Sequence, residues 1–375
     1  MFSLPYGFVI TDHADTVGSL LRPAELLDAQ RQLAAKTITA AQFKAIEDRA
    51  VDEAIALQEN VGLEIVTDGE MRRQSFQSQM TAAVSGFGEF DLDAFLWGEW
   101  YDEEGVQRKR RPRRLGAVAK LKRLRYLSAD EFSYLRGNTT QIPKVTIPSP
   151  GLWANFWSPT HSRDAYPTLD AFFADIVKIL REEVVELIRL GASYIQIDAP
   201  HYGLLLDPAT RSFYEGLGWS FDKWLSLGIE LDNAVMKGFR GVTFGFHICR
   251  GNQGSRWLSE GGYEAISRAL FPRLNAQRLL LEYDDARSGS FEPLRDVPND
   301  KFVVLGLVTT KKPDLEPIEV LTRRIGEASR YISKDRLGLS PQCGFASSII
   351  GNRISPRDQR QKLELVVNTA GTVWP

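Results

Sequence analysis

The stretch "LDAFFADIVKILREEVVELIRLGASYIQIDAP" (residues 169–200) decides the fold class of this chain. Its first part has apolar residues at the three-to-four spacing of an amphipathic helix and ends at Gly191, a plausible C-cap. From Tyr194 it continues as a short, β-branched run that stops at Asp198. Such a run is typical of a strand buried on both faces. A helix followed at once by a buried strand predicts an α/β protein.

Runs of the same kind occur eight times, each ending in polar or glycine-containing sequence. They are FVITDH (8–13), EIVTDGE (64–70), KVTIPSP (144–150), YIQIDAP (194–200), VTFGFHICRG (242–251), RLLLEYDD (278–285), FVVLGLVTT (302–310) and LGLSPQCG (337–344). Helices are predicted beside most of them, over 39–60, 167–190, 222–238, 314–333 and 357–370. This alternation predicts one (β/α)8 TIM barrel over residues 1–375, with its chemistry at the carboxyl ends of the strands. A doubly wound open sheet is the alternative, although no strand is followed by a glycine-rich phosphate loop.

One connection is much longer than the others. Residues 77–141, between the second and third predicted strands, are interpreted as an inserted subdomain. It contains the basic runs RKRRPRR (108–114) and KLKRLR (120–125). Three interpretations are open: a solvated basic face, a clamp for a polyanionic substrate tail, or a contact with nucleic acid, for which stacking aromatic residues are few.

The composition is that of an ordinary globular protein. Of the 375 residues, 43% are hydrophobic and 25% charged, with a net charge of −2. This charge gives no overall attraction to nucleic acid or to an anionic membrane. The amino terminus lacks a basic region before its apolar residues, and no apolar run approaches the roughly 18 residues of a membrane span. We expect a cytoplasmic protein without nucleic-acid or membrane partners. The sequence is compatible with a homo-oligomer.

The stretch GFHICRGN (245–252) contains one of the chain's two cysteines, two positions after a histidine. Side chains two apart on a strand point to the same face, so His247 and Cys249 can reach one atom near the barrel mouth. The pair alone is equally typical of a small apolar cysteine beside a hydrogen-bonded histidine.

Two more candidate ligands end other predicted strands. Cys343 lies at the end of the eighth strand and Glu282 ends the apolar part of the sixth, so a barrel would bring both to the same opening. One imidazole, two thiolates and one carboxylate suit four-coordinate zinc. Zinc with two thiolate ligands is a poor activator of water, but it can exchange a ligand for an incoming thiol and hold it as thiolate. Glu282 is the ligand expected to yield, because oxygen matches zinc less well than sulfur does.

The motifs together resemble the carboxy-terminal catalytic barrel of cobalamin-independent methionine synthase. HIC, the glutamate of LLLEYDD and PQCG match its zinc ligands in order, and TVGSLLRP (16–23), TDGE (67–70) and IQIDAP (195–200) are similar to its other strand-end motifs. The resemblance covers nearly the whole chain except the insertion. It implies a zinc-dependent methyltransferase that transfers a methyl group to the thiol of homocysteine. In the resembled family the methyl donor is 5-methyltetrahydrofolate.

The resemblance also assigns substrate-binding residues. Ser19 would help to hold the carboxylate of the amino acid, and Glu70 and Asp198 would receive its ammonium group, which two carboxylates bind by charge-assisted hydrogen bonds. The alternative for both acids is a structural ion pair with Arg22, Arg72 or Arg73.

Two stretches concern the methyl donor and proton transfer, and the second of them departs from the family. In the family a tryptophan stacks on the folate ring, and the stretch PSPGLWANFW (148–157) occupies the corresponding strand end. Trp153 or Trp157 is therefore a candidate for stacking on the methyl donor. The alternative is that the aromatic side chain packs under the insertion. An Asp-x-His motif for proton transfer is replaced by LVTTKKP (307–313). Lys311 falls near its place and His201 is a possible substitute. An unperturbed lysine is a slow proton donor at neutral pH.

Other functions are compatible with the same residues. Short relatives of the family include the epoxyalkane–coenzyme M transferases, which join a sulfonated thiol to an epoxide, so alkyl transfer to coenzyme M is the alternative activity. A zinc hydrolase needs a metal-bound water, against which the two thiolates argue. A non-enzymatic binding protein with structural zinc is the third possibility.

Overall fold

We describe the chain from a computed structural model, which covers residues 10–90, 99–102, 108–109, 115–216 and 218–375. The side chains at positions 99, 108, 109 and 213 are not described. The side chains of the basic run 108–114 and residues 8–9 of the first predicted strand therefore lie outside the described residues.

Seven parallel strands form one sheet, in which each strand pairs with its neighbours in chain order. They correspond to the second to eighth predicted strands: β1 Ile65–Val66, β2 Ile142–Pro148, β3 Tyr194–Asp198, β4 Thr243–Ile248, β5 Arg278–Glu282, β6 Phe302–Val308 and β7 Leu337–Pro341. Because the strands are parallel and consecutive, their carboxyl ends lie at one edge of the sheet. The α/β class and seven of the eight predicted strands are confirmed.

The first predicted strand is not a regular strand within the described residues. Ala14 makes a single parallel bridge with Leu339 on β7, and the Leu339 N–H donates to the His13 carbonyl over 2.7 Å. Further along, the Leu20 N–H donates to the carbonyl of Gly69, just beyond β1, over 3.0 Å. One short segment thus contacts both outer strands, so the sheet is curled.

The α-helices connect the strands and cover the outside of the sheet. Within the described residues they are α1 Ala24–Ala34, α2 Ala40–Asn60, α3 Ser78–Ala83, α4 Ala129–Gly137, α5 Leu169–Arg189, α6 Pro200–Leu204, α7 Pro208–Gly216, α8 Phe221–Met236, α9 Ser267–Leu270, α10 Ile318–Ala328 and α11 Pro356–Val373. Helices α2, α5, α8, α10 and α11 confirm the five predicted helices. None of the helices that the structure describes is long and apolar enough to cross a membrane.

Helix α5 shows how the opening stretch folds. The Thr168 side chain accepts a hydrogen bond from the Ala171 N–H over 3.2 Å and so caps the helix start. Gly191, with φ +96°, lies in the left-handed region just after the helix end, where glycine is favoured. The chain then enters β3 at Tyr194.

The long connection between β1 and β2 contains α3, α4 and short antiparallel strands. Residues Val84–Gly88 pair with Gly116–Arg123, and Glu99–Trp100 with Arg108–Lys109. Met80, Val84 and Phe132 from this connection are part of the main hydrophobic core. The described basic run, 120–125, is largely solvent-exposed. Arg123 pairs with Glu182 of α5 over 2.9 Å.

A buried ionic network, which no pattern in the sequence predicted, fills the interior near the amino ends of the strands. Asp15 pairs with Lys144 over 2.8 Å and with Arg278 over 3.1 Å, and all three side chains are fully buried. The Tyr194 hydroxyl donates to Asp15 over 2.9 Å. Because buried charges are costly when unpaired, this network is expected to fix the first segment against β2 and β5.

Candidate functional site

Three side chains that can bind a metal meet at the carboxyl ends of β4 and β7. His247 lies near the end of β4, Cys249 follows its last residue, and Cys343 lies two residues beyond β7. One ligand atom of each lies within 4.8 Å of those of the other two, and all three residues are buried. An imidazole nitrogen and two sulfurs could hold a metal ion and are a donor set that suits zinc.

The His247 ring is oriented as a metal ligand requires. Its Nδ1 is 3.2 Å from the Leu280 carbonyl oxygen, to which an Nδ1–H donates. Its buried Nε2 has no nitrogen or oxygen hydrogen-bond partner among the described residues, and the ring interacts with the Cys249 thiol. A backbone carbonyl that fixes the tautomer and leaves the second nitrogen free is the usual arrangement behind a histidine ligand.

The two sulfurs interact directly. The Cys343 thiol donates a hydrogen bond to the Cys249 sulfur, which lowers the pKa of Cys249 well below its usual value; burial opposes this, and His247 lowers it further. The same hydrogen bond, together with burial, raises the pKa of Cys343. A lowered pKa of Cys249 favours its thiolate, the form that binds metals.

Two asparagines hold the loops that carry the cysteines together. Asn252 donates to the Gly344 carbonyl over 2.7 Å and to Thr310 over 3.1 Å. Asn352 donates to Asn252 over 3.1 Å and to the Thr310 carbonyl over 2.9 Å. These buried bonds fix the loop after β7 against the loop after β4. Neither asparagine was predicted as a site residue, because an asparagine in a loop carries no sequence pattern that points to such a role.

A cavity of about 360 Å³ opens above the cluster at the same edge of the sheet. Seven of the predicted site residues line it: Ser19, Glu70, Trp153, Asp198, His247, Cys249 and Cys343. Phe76, Leu152 and Phe156 supply apolar wall. No lysine or arginine of the described residues lines it.

Ser19 lies where the first segment meets the loop after β7. Its carbonyl accepts from the Phe345 N–H over 2.8 Å. A Cβ placed on Gly344 would come within 2.0 Å of the Ser19 hydroxyl oxygen, so only glycine fits there without displacing the serine. Ser19 is buried and faces the cavity.

Of the two carboxylate oxygens of Glu70, one is hydrogen-bonded and the other has no partner among the described residues. Its Oε1 accepts from the Thr146 hydroxyl over 2.7 Å and contacts Arg73 over 3.5 Å. Its buried Oε2 has no hydrogen-bond partner among the described residues. The residue has φ +55°, an uncommon left-handed conformation for a side chain of this size. Strain of this kind often marks a functional position.

Asp198 ends β3 next to His247 in the ladder with β4. Its Oδ1 accepts from Gln196 over 2.7 Å, and no arginine pairs with it within the described part of the chain. Burial raises the pKa of Asp198 to about 7, with Glu70 adding to the rise and His247 opposing it. Gln196 also accepts from Lys144 over 3.0 Å and so joins the site to the buried ionic network. Gln196 lies two residues before Asp198 on the same strand and therefore on the same face, a signal that could have identified it as a site residue.

Glu282 and Lys311 lie beside the cluster but outside the cavity wall. Glu282 is not among the three residues whose ligand atoms converge. Its Oε2 accepts from the Arg250 N–H over 2.6 Å, and its Oε1 pairs with Lys311 over 3.2 Å. Burial lowers the pKa of Lys311, but Asp284 and Glu282 raise it by more, so the lysine stays charged.

The other predicted residues are placed differently. Trp153 is fully buried and lines the cavity, whereas Trp157 does not line it and donates from its indole nitrogen to the Tyr166 carbonyl over 3.1 Å. His201 is buried in α6, outside the cavity wall, and neither ring nitrogen has a hydrogen-bond partner among the described residues. Burial lowers the pKa of His201 to about 3, so its ring is neutral at physiological pH.

Comparison with known proteins places the chain in a family. The sequence profile described as "Cobalamin-independent synthase, Catalytic domain" matches residues 13–370. The uncharacterized protein YxjH of Bacillus subtilis is 34% identical over 369 residues, which cover 96% of this chain and 94% of the relative. A methionine synthase of Pyrococcus abyssi is 28% identical over 331 residues, which cover 88% of this chain and 85% of the relative.

Two solved structures share the fold. The putative vitamin-B12 independent methionine synthase from Listeria monocytogenes has a TM-score of 0.73 at 23% identity and covers 97% of this chain and 98% of its own. The B12-independent methionine synthase from Shewanella sp. W3-18-1, in complex with selenomethionine, has a TM-score of 0.72 at 20% identity and covers 96% and 97%. With the profile match and the sequence relatives, the predicted family is confirmed: the chain belongs to the family of the cobalamin-independent methionine synthase catalytic domain.

Proposed function

We propose that the protein is a zinc-dependent methyltransferase that transfers a methyl group to the thiol of homocysteine. The observation that carries this proposal is the convergence of His247, Cys249 and Cys343 beneath a cavity whose wall also contains the carboxylates of Glu70 and Asp198. The donor set suits zinc, and the free Nε2 of His247 supports metal binding. Glu282 remains the candidate for a fourth, exchangeable ligand.

Each part of the acceptor has a proposed partner. The ammonium group binds Glu70, whose Oε2 is free, and Asp198; the carboxylate group binds near Ser19. Bound zinc would lower the pKa of the acceptor thiol so that it is present as thiolate. The apolar wall with Trp153 excludes water and receives the methyl donor, for which 5-methyltetrahydrofolate is the first candidate.

The described part of the cavity wall favours homocysteine over coenzyme M as the thiol. A sulfonate needs a cation or several hydrogen-bond donors, and no lysine or arginine lines the described wall. Two carboxylates would instead repel it. Alkyl transfer to coenzyme M therefore stays the second candidate.

We also propose that the curled sheet is part of a closed barrel. A single (β/α)8 barrel over residues 1–375, with the insertion at 77–141, would use the segment around Ala14 as its remaining strand. The bridge of Ala14 to Leu339 supports this position.

The test is product analysis. Zinc-loaded protein is incubated with homocysteine and, in turn, methylfolates, methylcobalamin, S-methyl compounds and aryl methyl ethers, and methionine is measured by mass spectrometry. We expect methionine from at least one donor, and none from His247→Ala, Cys249→Ser or Cys343→Ser. The control His161→Ala replaces an exposed histidine and should behave as wild type. Methionine from no donor, or a coenzyme M thioether in its place, would contradict the proposal.

A further inference from the structure

Arg22 lies where the first segment, the turn after β1 and the loop after β7 meet. It is buried and does not line the cavity. Its Nη1 donates to the Leu20 carbonyl over 3.2 Å and to the Ala346 carbonyl. Its Nη2 donates to the Glu70 carbonyl over 2.7 Å and to the Arg73 carbonyl over 3.1 Å. One guanidinium group therefore joins three separate segments through their backbones.

Each of these segments carries a residue of the cavity wall. Ser19 lies in the first segment, directly before one of the carbonyls that accept from Arg22. Glu70 supplies another of these carbonyls, and Cys343 lies in the loop that supplies a third. Ser19, Glu70 and Cys343 all line the cavity, whereas Arg22 does not. The arginine can therefore act on a bound ligand only through the residues that it holds in place.

The conformation of Glu70 needs support of this kind. Gly69 and Glu70 both lie in the left-handed region, with φ +67° and +55°. That region is costly for a glutamate and is kept only where surrounding contacts hold the backbone. The Glu70 N–H donates to Asp68 Oδ1 over 2.9 Å, and its carbonyl accepts from the Arg73 N–H over 3.0 Å as well as from Arg22. Without Arg22, we expect the turn to relax and the free Oε2 of Glu70 to change its position.

We propose that Arg22 is a positioning residue of the acceptor site, which holds the Glu70 carboxylate where the ammonium group of the acceptor binds. This inference rests on the proposed function, in which Glu70 receives that ammonium group. It assigns to Arg22 a role in selecting the acceptor that goes beyond support of the fold.

The charge of Arg22 by itself would have the opposite effect. Burial lowers the pKa of Arg22, and the carboxylates of Glu70 and Asp68 oppose this by attracting the guanidinium. Removing a cation near Glu70 would, by charge alone, strengthen the binding of an ammonium group. Removing the contacts that position Glu70 would weaken it. The sign of the change therefore separates the two effects.

Thiol binding to the zinc-loaded protein tests the inference. Isothermal titration compares homocysteine with 4-sulfanylbutanoate, which lacks the ammonium group, and the ratio of the two dissociation constants gives the ammonium preference. Arg22→Met removes all four hydrogen bonds but keeps most of the stem. It should lower the ammonium preference about tenfold, since a hydrogen bond to a charged group contributes about 10- to 100-fold to binding. The zinc content should stay that of wild type, because Asn252 also holds the loop after β7 through the Gly344 carbonyl.

Two further variants make the result specific. Arg22→Lys keeps the charge, but one ammonium nitrogen cannot replace two guanidinium nitrogens in a fixed fork. Its ammonium preference should therefore lie between those of wild type and Arg22→Met. Arg72→Met is the matched control: Arg72 belongs to the same turn, but its guanidinium pairs with Glu47 and Asp48 of α2. This control should keep the ammonium preference of wild type.

The outcomes separate the inference from the proposed function. Wild type that binds homocysteine no better than 4-sulfanylbutanoate would defeat the proposed function. Wild type that prefers homocysteine, with folded Arg22→Met keeping or increasing that preference, would overturn the role of Arg22 alone. Equal weakening of both thiols or loss of zinc in Arg22→Met would also overturn it, since the arginine would then serve only the fold. If Arg22→Met does not fold, Arg22→Lys decides, and an ammonium preference equal to that of wild type would contradict the inference.

Discussion

Replacing Glu70 by glutamine removes one negative charge from the cavity wall while keeping the bonds that fix the side chain. The Thr146 hydroxyl and Arg73 both contact Oε1, which glutamine retains, and only the free Oε2 becomes an amide nitrogen. A hydrogen bond to a charged group contributes about 1.5–3 kcal/mol. Homocysteine should therefore bind about 10- to 100-fold more weakly to Glu70→Gln, since 1.4 kcal/mol is tenfold.

The assay is isothermal titration of the zinc-loaded protein with two thiols. One is homocysteine and the other is 4-sulfanylbutanoate, which is homocysteine without its ammonium group. Wild type should prefer homocysteine, and Glu70→Gln should lose most of that preference because the second thiol never used the carboxylate. Glu131→Gln is the control, since Glu131 also pairs with Arg73, over 2.8 Å, but does not line the cavity.

Equal weakening of both thiols by Glu70→Gln would refute this reasoning. It would mean that the substitution disturbs the cavity as a whole rather than an ammonium site. An unchanged preference for homocysteine would refute it as well, and would favour the alternative that Glu70 serves only its ion pair with Arg73.

Three other predictions test the scaffold. Gly203→Ala should weaken zinc binding without removing a ligand, because its Cβ would come within 1.9 Å of the Cys249 carbonyl oxygen; competition with a chelator measures this. Asp15→Asn should lower the free energy of unfolding by about 3–5 kcal/mol in urea titrations, because Lys144 and Arg278 lose a buried anion. For Asp232, burial raises the pKa to about 7, so the folded chain binds its proton more tightly than the unfolded chain does. The stability of wild type relative to Asp232→Asn should then fall as pH rises from about 4 to 7, by at most about 1.4 kcal/mol per pH unit.

Each of these predictions has its own control or contrary result. Gly137→Ala adds a Cβ with nothing within 4 Å and should leave zinc binding unchanged. Asp28→Asn breaks an exposed pair with Arg31 and should change the free energy of unfolding by less than about 1 kcal/mol. For Asp232, a stability difference that stays constant or grows between pH 4 and 7 would show that this carboxyl group does not bind its proton more tightly in the folded chain.

The sequence was sufficient for what depends on local pattern. Buried runs such as YIQID and the amphipathic face of α5 were recognisable, and alternation along β4 placed His247 and Cys249 on one face. The proximity of Cys343 to these two residues could be predicted because parallel strands end at one edge of the sheet. The first strand was less predictable, because its outcome depends on pairing with β7 at the far end of the chain and not on its own apolar run.

Side-chain partners over long distances were beyond sequence reasoning. Nothing near Lys144 indicates Asp15, and Lys311 shows no sign that it pairs with Glu282 rather than facing a substrate. For the same reason the sequence could not distinguish Trp153 from Trp157. Both belong to one aromatic run, and only the packing of the folded chain determines that Trp153 lines the cavity.

X-ray absorption of the zinc-loaded wild type at the zinc edge tests the central claim most directly. The account predicts one zinc ion per chain with two sulfur neighbours at about 2.3 Å, and a third sulfur after homocysteine is added. Zinc that is absent after reconstitution, or that has only nitrogen and oxygen neighbours, would contradict it.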